Sequence, residues 1–291
     1  MTEPALEIRG LKKSFPRFQL GPLDLTVPRG SIYGLIGPNA AGKTTTIDLI
    51  LRMGREDAGT IQVFGMDHRT QEVAVKSRIG YVSPDMNYNA WRKVGRLIGF
   101  IRKFYPDWDD AYCDDLLARL GIDKGEKIAS MSFGTKVKLG LVIALSHKPG
   151  LLLLDEPTIG VDAVSKQEIF AELLAAVQDE DRTVLISSHG LADIERFADH
   201  IGIIHQGKML IEGLTNDIVD RYRMVDFIYS NGTRPPLRDG FFVQEHSENR
   251  WRGLLDTNEN TPELLAKLGA TDVSLSPVTL EELFVAMVKE R

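Results

Sequence analysis

The stretch Gly37-Pro38-Asn39-Ala40-Ala41-Gly42-Lys43-Thr44 decides how this chain is read. It satisfies G-x-x-x-x-G-K-[ST] and stands where that pattern has physical meaning, between a short apolar run and a helical pattern. In the run, residues 31–37, the side chains of Ile32, Tyr33, Leu35 and Ile36 predict a buried strand bounded by Gly30 and Gly37, and residues 44–51 continue with helical periodicity. A glycine-rich loop that opens a helix turns successive backbone N–H groups, and the positive end of the helix, toward an anion. Lys43 adds a cation suited to β and γ phosphates, and Thr44 a hydroxyl suited to Mg2+. Charge-assisted contacts of this kind are worth about 1.5–3 kcal/mol each. The G-x-G-x-x-G spacing of a dinucleotide fingerprint is missing from the loop.

Working outward, Leu151-Leu152-Leu153-Leu154-Asp155-Glu156 follows the Pro149-Gly150 turn and gives four apolar residues ending in two acids. Two carboxylates at a strand end divide two tasks: Asp155 to hold Mg2+ through water, and Glu156, one residue past the strand, to polarise an attacking water. Residues 79–82 and 183–187 are further buried-strand candidates, and residues 201–204 and 208–211 flank Gln206-Gly207 as a hairpin. Short apolar runs separated by helical periods predict an α/β fold with a largely parallel buried sheet. Residues 87–147 lose the strand signal and turn helical; Cys113, Leu116, Leu117 and Leu120 share one face before Gly121 stops the helix.

Composition bounds the alternatives. With 291 residues, 43% hydrophobic and 26% charged, the chain resembles ordinary globular domains and is long enough for about two of them. Thirty-five Lys and Arg against forty-one Asp and Glu leave a formal charge of −6, which argues against capture of nucleic acid by net field. Cys113 is the single cysteine, expected as a buried filler, so an internal disulfide is impossible and a reducing compartment is expected. No secretory signal is read at the N-terminus, and no run of 18 apolar residues occurs, so the chain is expected to span no membrane by itself.

From about residue 218 the texture changes. Apolar runs at 225–229, 241–244 and 251–255, joined by Asn231-Gly232 and Pro235-Pro236, predict a small α+β domain over 218–291. It closes with one helix starting at Thr261-Pro262 and another at Thr279, where Glu282 completes a capping box. The preceding residues, 1–217, form the nucleotide-binding domain.

With these residues in hand, the chain resembles the nucleotide-binding subunits of ABC transporters over residues 5–215. Met131-Ser132-Phe133-Gly134-Thr135 stands where that family has LSGGQ, keeping Ser132 and Gly134 and departing at Phe133 and Thr135. Pro157-Thr158-Ile159-Gly160-Val161-Asp162 looks like the family's D-loop and Ser187-Ser188-His189 like its switch histidine. The fold implied is a P-loop ATPase core with a mostly parallel sheet and a helical subdomain at about 87–147. The resemblance implies ATP with Mg2+: ATP on Phe15, stacked on adenine, on residues Gly37 to Thr45 of the loop (Gly37, Pro38, Asn39, Ala40, Ala41, Gly42, Lys43, Thr44, Thr45), and on Ser132 and Gly134 of a partner subunit; Asp162 couples the two sites. Lys43, Glu156 and His189 are the implied catalytic residues, and Thr44, Asp155 and Asp85 the implied metal ligands. Asp85 is the departure that matters: Ser83-Pro84-Asp85 replaces the Gln or Glu that the family places after this strand, so either Asp85 substitutes or that ligand is lost. Ala40 is a milder departure from Gly.

One loop and one signature per chain imply a head-to-tail dimer, homodimeric or heterodimeric, acting on a separate integral-membrane permease from the cytoplasmic face. Family position makes residues 88–105, with Trp91, Phe100 and Phe104 among five basic residues, the surface for the permease. The sequence Phe104-Tyr105-Pro106-Asp107-Trp108-Asp109, the degenerate signature and the C-terminal domain look like the exporter branch of bacitracin-resistance and sodium-efflux ATPases. A soluble ABC-type ATPase driving assembly or regulation is the alternative. His68, His147, His200, His205 and His246 have no partner motif and are expected to be surface or capping residues.

Overall fold

The computed structural model describes residues 3–178, 182–229, 240–260 and 262–289. The chain divides into two compact units: residues 1–190 with 197–211, and residues 191–196 with 212–291.

In the first unit a six-stranded sheet has the spatial order Lys208–Leu214, His200–His205, Ile32–Ile36, Thr183–Ser188, Leu151–Asp155, Ile79–Val82. The four pairings from His200–His205 across to Ile79–Val82 are parallel. All five residues of Ile32–Ile36 and of Leu151–Asp155 are buried, which is why these strands read as continuous apolar runs rather than as alternation. Parallel register brings one end of each strand to a common edge: Ile36 pairs with Ser188 and Asp155 with Ser187. At that edge the chain leaves the sheet into the phosphate loop, the acidic pair and His189, where open parallel sheets bind ligands.

A second sheet in this unit is antiparallel, in the order Phe18–Val27, Leu6–Phe15, Ala58–Val63, Met66–Asp67. The sequence reading anticipated the parallel sheet and not this one. Its signal is the alternation Leu6, Ile8 and Leu23, Leu25, Val27, all fully buried and facing the core that also holds Leu35, Ile47 and Leu153. The helical insertion is present as Val94–Ile101, Asp110–Arg119 and Phe133–Ser146. Asp109 caps the second of these through the Tyr112 amide at 2.9 Å, and Gly121 follows it at φ 67°, as a helix stop requires. Cys113 is buried on that helix.

The second unit holds an antiparallel four-stranded sheet in the order Phe241–Ser247, Arg250–Asp256, Tyr222–Ile228, Thr271–Ser276. The last of these was not anticipated; five of its six residues are exposed, so it carries no apolar run. One core here gathers Val225, Phe227, Trp251, Leu255 and Leu265. Arg221 makes a forked contact with the buried Asp256 carboxylate at 2.5 to 3.0 Å. The predicted capping box exists: the Glu282 amide donates to Thr279 Oγ1 at 3.2 Å and the Thr279 amide to Glu282 Oε2 at 2.9 Å. Helix Leu191–Phe197 opens in this unit, and its Glu195 accepts the Leu280 amide at 3.1 Å. The turns expected at Asn231-Gly232 and Pro235-Pro236, and Thr261 of the expected helix start, lie outside the described residues.

Two histidines are buried: His68 departs from the expected surface or capping role, while His147 caps a helix as expected. His68 is fully buried, its Nδ1 3.2 Å from the Ile61 carbonyl and its Nε2 3.5 Å from Glu56. His147 follows the helix Phe133–Ser146, 4% exposed, with its ring stacked on Tyr105 at 4.0 Å. Burial and the nearby Arg182 push the His147 imidazole down to about 4, so it is neutral in the fold. Because the unfolded chain takes up that proton near 6.5, the stability that neutral His147 permits is complete above pH 6.5 and is lost as pH falls toward 4. His147→Phe, which keeps the stacking, is expected to remove about 3 kcal/mol of the stability loss between those limits, seen as a flatter pH dependence of the urea midpoint.

Candidate functional site

The loop between Ile36 and helix Lys43–Ile50 is shaped by backbone conformations that few residues accept. Gly42 caps the helix at φ 114°, and a Cβ there would meet Leu20 at 2.8 Å. At Gly37 a Cβ would fall 2.4 Å from the Ile204 carbonyl. Ala40 sits at φ 61°, a left-handed conformation that costs an L residue about 1–2 kcal/mol, so its departure from glycine is felt in the backbone. The loop curls tightly enough for the Lys43 ammonium to donate to the carbonyls of Gly37, at 2.7 Å, and Pro38, at 3.2 Å.

Lys43 is 5% exposed, and a buried ammonium needs an anion. Glu156 supplies it, with Oε1 3.0 Å from Lys43 Nζ. The other oxygen of the same carboxylate lies 2.8 Å from His189 Nδ1, so Glu156 bridges the loop lysine and the histidine. His189 is the exposed end of this chain, about half accessible, whereas Glu156 is largely covered. Glu156 holds φ 47°, pinned by its amide, which donates to Ser187 Oγ at 3.0 Å. Ser187 Oγ in turn donates to Asp155 Oδ1 at 2.5 Å. One fully buried hydroxyl therefore positions both acids. Sequence reasoning assigned Ser187 no such role; its signal is the strand register that sets it opposite Asp155.

Phe15, Phe18, residues 39–45 and Glu156 line a cleft of about 350 Å³. Phe15 is 46% exposed, with Phe18 6.1 Å away between ring centroids; Phe18 is a lining residue that the sequence did not single out. Asp155 is buried at the strand end beside the cleft, and its charge, after burial itself, pushes up the pKa of Asp48, one turn beyond Thr44 on the same helix. Thr44 and Asp155 thus share one neighbourhood. Val82 pairs with Leu154, so Ser83-Pro84-Asp85 leaves the sheet at the edge that carries Asp155, and the Asp85 carboxylate is exposed there. Among the described residues no three His, Cys, Asp or Glu side chains gather as a metal cluster.

Eight predicted residues are absent from the cleft lining: Gly37, Pro38, Asp85, Asp155 and His189, and, on other elements, Ser132, Gly134 and Asp162. Ser132 is the exposed N-cap of Phe133–Ser146 and accepts the Thr135 amide at 3.1 Å. Gly134 is buried, and a Cβ there would press on Ser165 Oγ at 3.1 Å, so close helix packing already explains the glycine. Asp162 caps the helix Ala163–Gln178 by accepting the Ser165 amide at 3.0 Å, and that hydrogen bond holds its carboxyl below the usual range. Elsewhere in this unit an apolar groove of about 550 Å³ runs between Leu51, Tyr81, Tyr88, Phe104 and Ile143. Burial pushes the Tyr88 phenol up to about 12. No helix among the described residues is long and apolar enough to cross a membrane.

The ABC transporter family model matches residues 20–159. The "ABC transporter ATP-binding protein YtrB" of Bacillus subtilis is 29% identical over 97% of both chains. The "Bacitracin transport ATP-binding protein BcrA" of Enterococcus faecalis is 30% identical over 79% of this chain and 76% of its own length. A solved ATP-binding subunit of an ABC transporter superposes with a TM-score of 0.67 at 24% identity, over 74% of this chain and 92% of that one, and so shares the fold. By sequence, fold and site architecture together, the chain belongs to the ABC transporter family, as one of its ATP-binding, ATP-hydrolysing subunits.

Proposed function

We propose that the chain powers export through separate membrane subunits by closing head to tail on a second nucleotide-binding subunit around ATP. The Lys43–Glu156–His189 chain is the observation that carries this reading. Glu156 neutralises Lys43. A γ-phosphate entering the loop offers Lys43 a stronger anion and releases Glu156, which stays tied to His189 and is free to accept a proton from the attacking water. His189 orients that carboxylate. Phe15 stacks on the base, and the amides of residues 39–45 grip the phosphates.

The residues present suit Mg2+, which takes one or two carboxylates and leaves its remaining positions to water and phosphate rather than to a protein cage. Thr44 and Asp155 would hold it, with Asp85 as the third group, and when bound it would offset charge on the phosphoryl oxygens. Ser132 and Gly134, absent from the lining of their own chain's cleft, would close the partner's, with Asp162 beside them. The groove at Tyr81, Tyr88 and Phe104 is the docking surface proposed for the membrane subunit, on which the chain acts from the cytoplasmic face in this reading. The name of another relative, "Nod factor export ATP-binding protein I" of Burkholderia lata, supports export as the direction.

Glu156→Gln should lower ATP turnover at least about 100-fold while leaving nucleotide binding intact, so that an ATP-loaded dimer accumulates in sedimentation; unchanged phosphate release would sink the assignment. Lys43→Ala should abolish tight binding instead. Removing the shared hydroxyl by Ser187→Ala is expected to raise the magnesium concentration giving half-maximal hydrolysis about 10-fold, the usual size of an outer-shell effect. For Phe15→Ala the Michaelis constant for ATP should rise roughly 10-fold with turnover preserved, as loss of one base-stacking contact predicts.

A further inference from the structure

Residues 86–106 contain five cations and no carboxylate, in a chain whose formal charge is −6. Among the described residues, Arg102 is the one of the five in an ion pair, with Asp110 at 3.2 Å. Helix Val94–Ile101 turns Val94, Leu97 and Ile98 inward, whereas Arg96, Phe100 and Lys103 recur at i, i+4 and i+7 along the helix and the turn Arg102–Phe104, and so share the outward face. On that side the Trp91 and Phe100 rings lie 4.2 Å apart, Phe104 meets Phe100 edge-on at 5.0 Å, and Phe100 and Phe104 are 41% and 66% exposed.

An aromatic ladder left in water beside unpaired cations matches the zone where a bilayer's headgroups begin, because rings settle at that depth and cations meet lipid phosphates. Nucleic acid fits less well: its bases need separate stacking platforms, and these rings are already packed on one another. Phe104 also lines the apolar groove, so the face continues the surface on which the membrane subunit is proposed to dock. We propose that the outward face of Trp91, Arg96, Phe100, Lys103 and Phe104 rests on the anionic lipid headgroups of the bilayer that holds the membrane subunit. The inference builds on the reading of this chain as a transporter subunit and adds the lipid surface as a second partner.

The purified full chain, floated with vesicles of seven parts phosphatidylcholine to three parts phosphatidylglycerol, is expected to rise with them, and not with vesicles of phosphatidylcholine alone. The association should fade in high salt, where the screening length is about 3 Å. R96E/K103E is expected to weaken partitioning at least ~10-fold, each cation at an anionic surface being worth roughly 5-fold, while R96K/K103R preserves it. Basal ATP hydrolysis in both variants reports that they fold. Equal binding to the two vesicle types, binding to neither, or an unchanged R96E/K103E would overturn the proposal. If R96E/K103E loses the membrane subunit in co-purification while the parent chain ignores vesicles, the face docks an acidic protein segment instead. Failure of the parent chain to hydrolyse ATP would strike the proposed function and leave the vesicle result standing.

Discussion

A lysine ammonium held at 5% exposure is the constraint around which this site is organised. Burying a cation without an anion costs several kcal/mol, so something negative must sit beside Lys43 in every populated state. Two backbone carbonyls solvate it but carry no net charge. Glu156 completes the neutralisation, 3.0 Å away. In the proposed cycle the same carboxylate is held by Lys43 until a better anion arrives, which would tie the readiness of the base to the presence of its substrate.

The sheet makes this coupling rigid. Parallel pairing sets Asp155 against Ser187, and a one-residue slip would send both side chains to the opposite faces. Ser187 fixes Asp155 through its hydroxyl proton and Glu156 through its lone pair, so the two adjacent acids sit at a set separation. Glu156 reaches its position with φ 47°, a conformation that costs about 1–3 kcal/mol and persists because the Ser187 contacts hold it.

Much of this was legible in the residues. The phosphate loop and the acidic strand announce themselves because both lie on continuous apolar runs, which only a two-sided burial explains, and each is followed at once by its polar group. The helical insertion was equally plain from Cys113, Leu116 and Leu117. What escaped depends on contacts between distant segments. The antiparallel sheet pairs Leu6 with Val63 across more than fifty residues, and neither stretch alone carries a strong strand pattern. The role of Ser187 follows from register, which no local spacing encodes. His68 has no partner motif and reads as a surface or capping residue, yet it turns inward to Glu56. Gly134 matched the signature pattern, while the structure adds a packing reason for it against Ser165.

The helix Leu191–Phe197 begins two residues after His189, and six of its residues belong with the C-terminal unit, to which Glu195 is tied through the Leu280 amide. The chain therefore crosses between the units three times, and no single cut separates them. An engineer who trimmed the protein at Glu212 would leave behind an orphaned helical turn, its Glu195 without the Leu280 amide. The second unit is not a detachable tail but a graft with two roots in the chain, residues 191–196 and residues 212–291.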